Sequence, residues 1–201
     1  MLFTIDSKNL APGVMWFDGN LKLANGNYYN TFLSTKGIET AGSTTVTSLN
    51  YGGYNNTCLE NYQGTLTLFT GLYPKNFCKT SDASLITNAL GNPALTAGGF
   101  DPSMGGTIYS GGDIKLGAST VIYGTVLAGD TLNTAGGNTT VRGYITAAAL
   151  TTDVDPNILG GTTIIDLTGL PSTYTPSVIP DMTTPPPADP DVARVLWSRF
   201  L

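Results

Sequence analysis

The chemistry open to this chain is bounded first by what it lacks. Among 201 residues there is no histidine. Without an imidazole there is no Ser-His-Asp or Cys-His nucleophilic relay and no His-ligated zinc or iron site. Two cysteines fall short of a four-thiolate zinc site. Carboxylates remain. A carbohydrate-cleaving enzyme gathers two of them at the scissile bond. The repeat-bearing segments offer Asp18, Glu39, Asp113 and Asp130, with Lys22, Lys115 and Arg142. Asp18 and Asp113 sit in glycine-containing turns, where a structural role suffices. Asp153/Asp155 and Asp189/Asp191 have neither EF-hand spacing nor a glycine-aspartate nonapeptide array around them, so they read as solvated turn carboxylates. No catalytic residue, metal site or cofactor is therefore assigned.

Two other residue sets carry chemistry. Cys58 and Cys78 span twenty residues, and a disulfide closing that loop is worth about 3 kcal/mol by chain entropy. The alternative is two separate buried thiols. Tyr51, Tyr54, Tyr62 and Tyr73 crowd the same region, beside Asn and Gly. Exposed tyrosines give large contact area at low entropic cost, so they form a candidate recognition surface. They would serve equally as a small local core. Thr-x-Thr elements at 45–47, 65–67 and 173–175 suit a flat ice-binding face, but they do not recur at the repeat period described below. Asn55-Asn56-Thr57 and Asn138-Thr139-Thr140 fit the N-glycosylation acceptor, a pattern that arises readily by chance in an Asn- and Thr-rich chain.

Composition narrows the setting. Only 11% of residues are charged while 41% are hydrophobic, so Thr, Asn, Ser and Gly carry the surface. The usual charged share is about a quarter. That balance is common in secreted β-rich proteins and points to an extracellular, exported location. A net charge of −5 argues against a general nucleic-acid surface. No signal-peptide pattern opens the chain, and no run of about 20 apolar residues is present to span a membrane.

The elements that must position these residues are short strands. Residues 105–150 alternate small apolar pieces with Gly, Asn, Asp and Thr turns. Thr120–Thr125 is echoed by Thr140–Thr146 about twenty positions on, and Asp113–Leu116 by Asp130–Leu132 seventeen on. The N-terminal part carries a second copy. Gly19–Leu23 matches Gly112–Leu116, Tyr29–Leu33 matches Tyr123–Leu127, and Thr40–Val46 matches Thr134–Val141. Three matches in one order predict a solenoid whose coils stack. At a strand's period of two, Leu21 and Leu23, or Ile114 and Leu116, face inward and the intervening Lys faces out. The expected fold is all-β: a right-handed parallel β-solenoid over 1–168, with a disulfide-containing insertion at 51–105. Within the insertion, 51–56 reads as loop, 65–69 as a strand and 81–90 as a helix capped by Ser81. Leu2, Phe3 and Ile5 would form an edge strand or cap, and 162–167 the last strand. Residues 169–201 form a proline-rich extended segment with a short terminal helix. Seven of the twelve prolines (Pro171, Pro176, Pro180, Pro185, Pro186, Pro187 and Pro190) lie there.

The phrases Gly13–Leu23 and Gly106–Leu116, an apolar strand, Gly with Asp or Asn, then another apolar strand, resemble units of bacterial surface solenoids. The resemblance is to the β-solenoid part of minor pilins and PilX-like type IV pilus proteins, over 13–50 and 106–168. Bactofilins share such turns. A pilin's long apolar N-terminal helix is missing here, so the likeness is to a soluble head domain. It implies surface display, adhesion or a role at a pilus tip. It also implies, as partners, other pilus or surface subunits or a surface glycan or protein receptor. It carries over no catalytic residue. The expectation is a non-enzymatic module. The alternatives are a carbohydrate-active solenoid enzyme and an ice-binding or self-assembling solenoid.

Overall fold

In the computed structural model, residues 1–7, 10–58, 78–79, 81–82, 84–85, 93–98, 112–134, 137–147, 158–159 and 161–166 are described. Tyr62, Tyr73, the Cys78 side chain, the strand expected at 65–69, both outlying Asp pairs and the proline-rich segment lie outside them. The chain opens with β1 (Leu2–Ile5) and then repeats a three-strand coil. The first coil is β2 (Gly13–Phe17), β3 (Asn20–Leu23) and β4 (Gly26–Tyr28). The second is β5 (Asn30–Ser34), β6 (Ile38–Thr40) and β7 (Thr44–Thr47). An excursion follows, holding helix α1 (Leu49–Cys58) and the hairpin β8 (Cys78–Lys79) and β9 (Ser84–Leu85). The third coil is β10 (Pro93–Ala97), β11 (Ile114–Leu116) and β12 (Val121–Tyr123). The fourth is β13 (Thr125–Ala128), β14 (Leu132–Thr134) and β15 (Thr139–Arg142). The fifth is β16 (Ile145–Ala147), β17 (Ile158–Leu159) and β18 (Thr163–Ile165).

Equivalent strands of successive coils pair in parallel and build three sheets. Sheet I runs β1-β3-β6-β11-β14-β17, sheet II runs β2-β5-β10-β13-β16, and sheet III runs β4-β7-β12-β15-β18. This is a parallel β-solenoid. Inward side chains stack in columns along its axis. Sheet I contributes Leu21, Ile38, Ile114 and Leu132 in register. Sheet II contributes Phe32, Leu95 and Val126, and sheet III Tyr28, Val46, Ile122 and Val141. All are buried in one cluster, each contributing about 1.5–3 kcal/mol. The outward column of sheet I is Lys22, Glu39, Lys115 and Asn133, as the period of two requires. Lys22 Nζ lies 3.3 Å from Glu39 Oε1. Both ends of that pair are well exposed, so it adds no more than about 1 kcal/mol.

Corners are held by side chains reaching to the next coil. Thr35 Oγ1 donates to Asp18 Oδ1 at 3.0 Å, and the Gly37 N–H donates to Asn20 Oδ1 at 3.0 Å. The Thr131 N–H and hydroxyl donate to Asp113 Oδ1 at 3.1 and 2.7 Å. Where sheet III turns into sheet II, Gly124 and Gly143 have φ of 142° and 154°. A Cβ on Gly143 would stand 2.2 Å from the Gly124 carbonyl oxygen, so only glycine allows the coils to close up there.

The structure revises several local expectations. The echo offsets are eighteen for Ile114 and Leu132 and nineteen for Ile122 and Val141, one residue away from the sequence alignment within this block. The matches between the N-terminal and C-terminal blocks hold. Phe32 and Val126 both pair with Leu95, and Val46 and Val141 both pair with Ile122. Residues 93–97, inside the expected insertion, are β10 of sheet II. The segment 51–56 is not a loop but part of α1, two helical turns joined at Gly53 (φ 71°, ψ 173°). Burial of Leu49 and packing of Tyr51 outweigh the poor helix propensity of Asn and Gly. Of the helix expected at 81–90, residues 81–82 form a turn and 84–85 form β9, where Lys79 pairs with Ser84, while 83 and 86–90 lie outside the described residues. Ser81 and Asp82 are turn formers as well as caps. The last strand, β18, falls where it was expected.

β1 pairs with β3 at the edge of sheet I. Its Phe3 packs on Phe17 (5.4 Å), Phe17 on Phe32 (6.4 Å) and Phe32 edge-on to Tyr28 (5.6 Å). The Tyr28 hydroxyl lies between the carbonyls of Ala24 (2.8 Å) and Ile5 (3.0 Å). Burial, with the nearby Asp6 charge, pushes its pKa up to about 12. The folded state therefore holds this proton more tightly than the unfolded chain does. The stabilisation is complete below the usual tyrosine pKa of about 10 and is lost as pH rises through about 12. Tyr28→Phe is expected to cost about 0.5–1.5 kcal/mol at neutral pH and to flatten the alkaline fall in stability. Urea melts of both proteins across that window check it, and parallel alkaline curves would refute the assignment.

Candidate functional site

The structure gathers five groups at one place on the outer face of sheet III. Thr47, Tyr123 and Arg142 are register partners on β7, β12 and β15. Asp166 follows β18, and its N–H donates to the Val141 carbonyl at 2.8 Å. That bond sets the carboxylate beside Arg142, with Nε to Oδ2 at 3.6 Å. The guanidinium carbon lies 5.3 Å from the centre of the Tyr123 ring, within cation–π range. Neighbouring coils in a parallel sheet stand about 4.8 Å apart, so residues in one column stack without any loop to position them.

Helix α1 brings the fifth group. The Ser48 N–H donates to the Tyr123 carbonyl at 2.8 Å, and the Gly52 N–H to the Ser48 carbonyl at 2.9 Å. These bonds start the helix on the edge of β12. The Tyr51 ring then lies 6.1 Å from that of Tyr123, tilted by 54°. A Cβ on Gly52 would stand 3.2 Å from the Tyr29 ring, so glycine lets the helix lie close to that ring. Burial raises the Tyr51 pKa, Asp166 and Tyr144 add to the rise, and Arg142 opposes it. Tyr54 and Asn56 follow on the helix, Tyr54 half-buried and Asn55 exposed. The Asn56 side chain donates to the Gly52 carbonyl at 2.9 Å.

Of the four candidate tyrosines, Tyr51 and Tyr54 are on α1. Tyr51 is in the patch; Tyr62 and Tyr73 lie outside the described residues. Cys58 ends α1, buried, and is not a free thiol. Cys78 opens β8, and α1 lies against that hairpin. Sequence reasoning did not identify Tyr123, Tyr144 and Asp166 as part of a site, and it treated Arg142 only as a scattered charge. The signal was present. With the echo set at nineteen, Tyr123 falls on Arg142; the twenty-residue alignment put it on Gly143. Among the described residues no three acidic or cysteine side chains converge as a metal site, and no helix is long and apolar enough to cross a membrane. The outward column beside the patch reads Asn27, Thr45, Val121, Thr140 and Ile164, a mixed column rather than an array of threonines.

Family models, curated proteins and solved structures yield no match to this chain. Its class is therefore defined by its own architecture: a parallel β-solenoid interrupted by a tyrosine-bearing helix that docks on one outer face.

The patch makes a quantitative demand. In a double-mutant cycle of Tyr123→Leu and Arg142→Ala, the two substitutions are expected to couple by about 0.5–1 kcal/mol. Arg142→Ala alone should raise the Tyr51 pKa further, since it removes the one charge that lowers it. Denaturant melts and ultraviolet titration read these effects. Additive substitutions would mean that the stack contributes nothing in solution.

Proposed function

We propose that this chain is a non-enzymatic recognition module displayed outside the cell, serving adhesion, recognition or assembly at a filament tip, as its resemblance to minor-pilin head domains implies. The observation that carries the reading is the docking of α1 on sheet III, which sets Tyr51 against Tyr123, the ring on which Arg142 also stacks. Side chains fixed on a stacked sheet lose little freedom on binding. Tyrosine rings supply contact area, while Arg142, Asp166 and exposed Asn55 supply donors and acceptors. That set suits the C–H faces and hydroxyls of a surface glycan, the partner class assigned here. The carboxylates favour this reading over a glycan-cleaving enzyme, since Asp18 and Asp113 accept hydrogen bonds from the next coil. The mixed outward column of sheet III favours it over an ice-binding face.

A Cys58–Cys78 disulfide belongs to the same proposal. Cys58 is not free, α1 packs beside the strand that Cys78 opens, and the chain has no third cysteine. The bridge would tie the helix to the hairpin and suits an oxidising compartment.

Two measurements test these statements. Intact mass before and after reduction should differ by the two thiol hydrogens, and equal masses would remove the bridge. On a printed array of bacterial and host glycans, the wild-type protein should bind a defined subset. Arg142→Ala should weaken that binding roughly tenfold. An empty array, or binding indifferent to Arg142, would sink the glycan assignment.

A further inference from the structure

The surroundings of the Arg142 guanidinium can be assigned side by side. The group lies over the Tyr123 ring, 5.3 Å from its centre. Its Nε is turned to Asp166, with Oδ2 at 3.6 Å. Asp166 is itself fixed by its backbone bond to Val141. Among the described residues no hydrogen bond or further ion pair engages the two Nη atoms, and the side chain is 47% exposed. A guanidinium is a flat fork of five N–H donors, and its terminal pair of nitrogens matches the two oxygens of a carboxylate. The ring and Asp166 hold this fork in place, so little freedom remains to be lost on binding. The lysines of sheet I offer no equivalent. Lys22 and Lys115 flank Glu39 in an outward column of Thr4, Lys22, Glu39, Lys115 and Asn133, which holds no aromatic ring. Their ammonium groups are point charges without a planar fork.

We infer that the Tyr123–Arg142 patch takes an acidic sugar, whose carboxylate pairs with the free terminal edge of the Arg142 guanidinium. This rests on the glycan reading above and narrows it to one chemical class, the hexuronic and sialic acids. A carboxylate satisfies both Nη donors with charge-assisted bonds, whereas a neutral hydroxyl leaves the charged fork poorly paired once water is displaced. The half-buried Tyr51 ring, 6.1 Å from that of Tyr123, offers an apolar wall to the C–H face of the same sugar. Charge sets the upper limit. The chain carries −5 overall, and Asp166 stands beside the fork, so a densely charged polymer meets repulsion over most of its contact. A single carboxylate in an otherwise neutral glycan meets the one guanidinium. The patch therefore selects isolated acidic sugars over sulfated polysaccharides.

The test applies the full wild-type chain to an array of paired glycans. The members of a pair differ only in whether the sugar carboxylate is free or converted to its carboxamide. Hexuronic and sialic pairs are printed separately, beside neutral glycans and a sulfated polysaccharide. The free acids of at least one class should bind roughly tenfold or more tightly than their carboxamides, and the separate printing identifies which class supplies the carboxylate. Arg142→Lys keeps the charge and loses the fork. It should melt like the wild type and bind the free acid roughly tenfold more weakly. The paired glycans need only wild-type protein, so the outcome does not depend on how that variant folds. Equal binding of acid and carboxamide, or binding of neutral glycans alone, overturns the acidic-sugar inference and leaves the glycan reading standing. Strongest binding to the sulfated polysaccharide overturns it as well, and so does an Arg142→Lys protein that holds the free acid as tightly as the wild type. An array on which no glycan binds overturns the glycan reading itself, and this inference with it.

Discussion

Every coil of this protein depends on its neighbour through parallel register. A three-strand coil has too little surface to bury its own apolar side chains, so Ile122 becomes core only because Val46 lies on one side of it and Val141 on the other. The backbone follows the same rule, since each strand's amides and carbonyls find partners only in the strands before and after it. A slip of one residue in any coil would turn an inward column outward along the whole stack. The corner bonds from Asp18, Asn20 and Asp113 to the following coil, and the glycines where sheet III meets sheet II, hold that register.

The same constraint explains how a surface site arises without a dedicated scaffold. Outward residues are stacked as strictly as inward ones. Lys22 and Glu39 meet because they share a column, and so do Tyr123 and Arg142. The excursion between β7 and β10 enters at a corner, where the coil path can open without disturbing the sheets on either side. Its first element, α1, starts from a bond to the β12 backbone and lies against the Tyr123–Arg142 pair. Recognition chemistry in such a protein can therefore vary at the corners and outer columns while the inner columns stay constant.

Stacking also has a consequence at the termini of the solenoid. An inner column has no natural end: the last coil among the described residues continues the apolar cross-section that every other coil buries. The β1 end meets this with a run of aromatic rings from Phe3 to Tyr28, and the β18 end leaves Ile165 half exposed.

Sequence alone determined the class of fold and the inward-facing residues, because a coil that must repeat to bury itself writes its repeat into the chain. The matches of Gly19–Leu23 to Gly112–Leu116 and of Tyr29–Leu33 to Tyr123–Leu127 survive intact as columns. The assignment of Leu21, Leu23, Ile114 and Leu116 to the core follows directly from the period of two. Turn length is less constrained than strand pattern, so the offset between adjacent coils was legible only to within a residue. That single residue concealed the stacking of Tyr123 on Arg142. Tertiary structure alone decided the identity of the excursion. Leu49–Cys58 is rich in Asn and Gly and has little helical preference of its own, and it becomes a helix where Leu49 is buried and Tyr51 finds a ring to pack on. The hairpin at Cys78–Lys79 and Ser84–Leu85 likewise forms by pairing, which no local pattern in Ser81–Leu85 encodes. Repetition is a local property that a chain displays along its length. A site assembled from a helix, two distant strands and the residue after a third exists only once the coils have stacked.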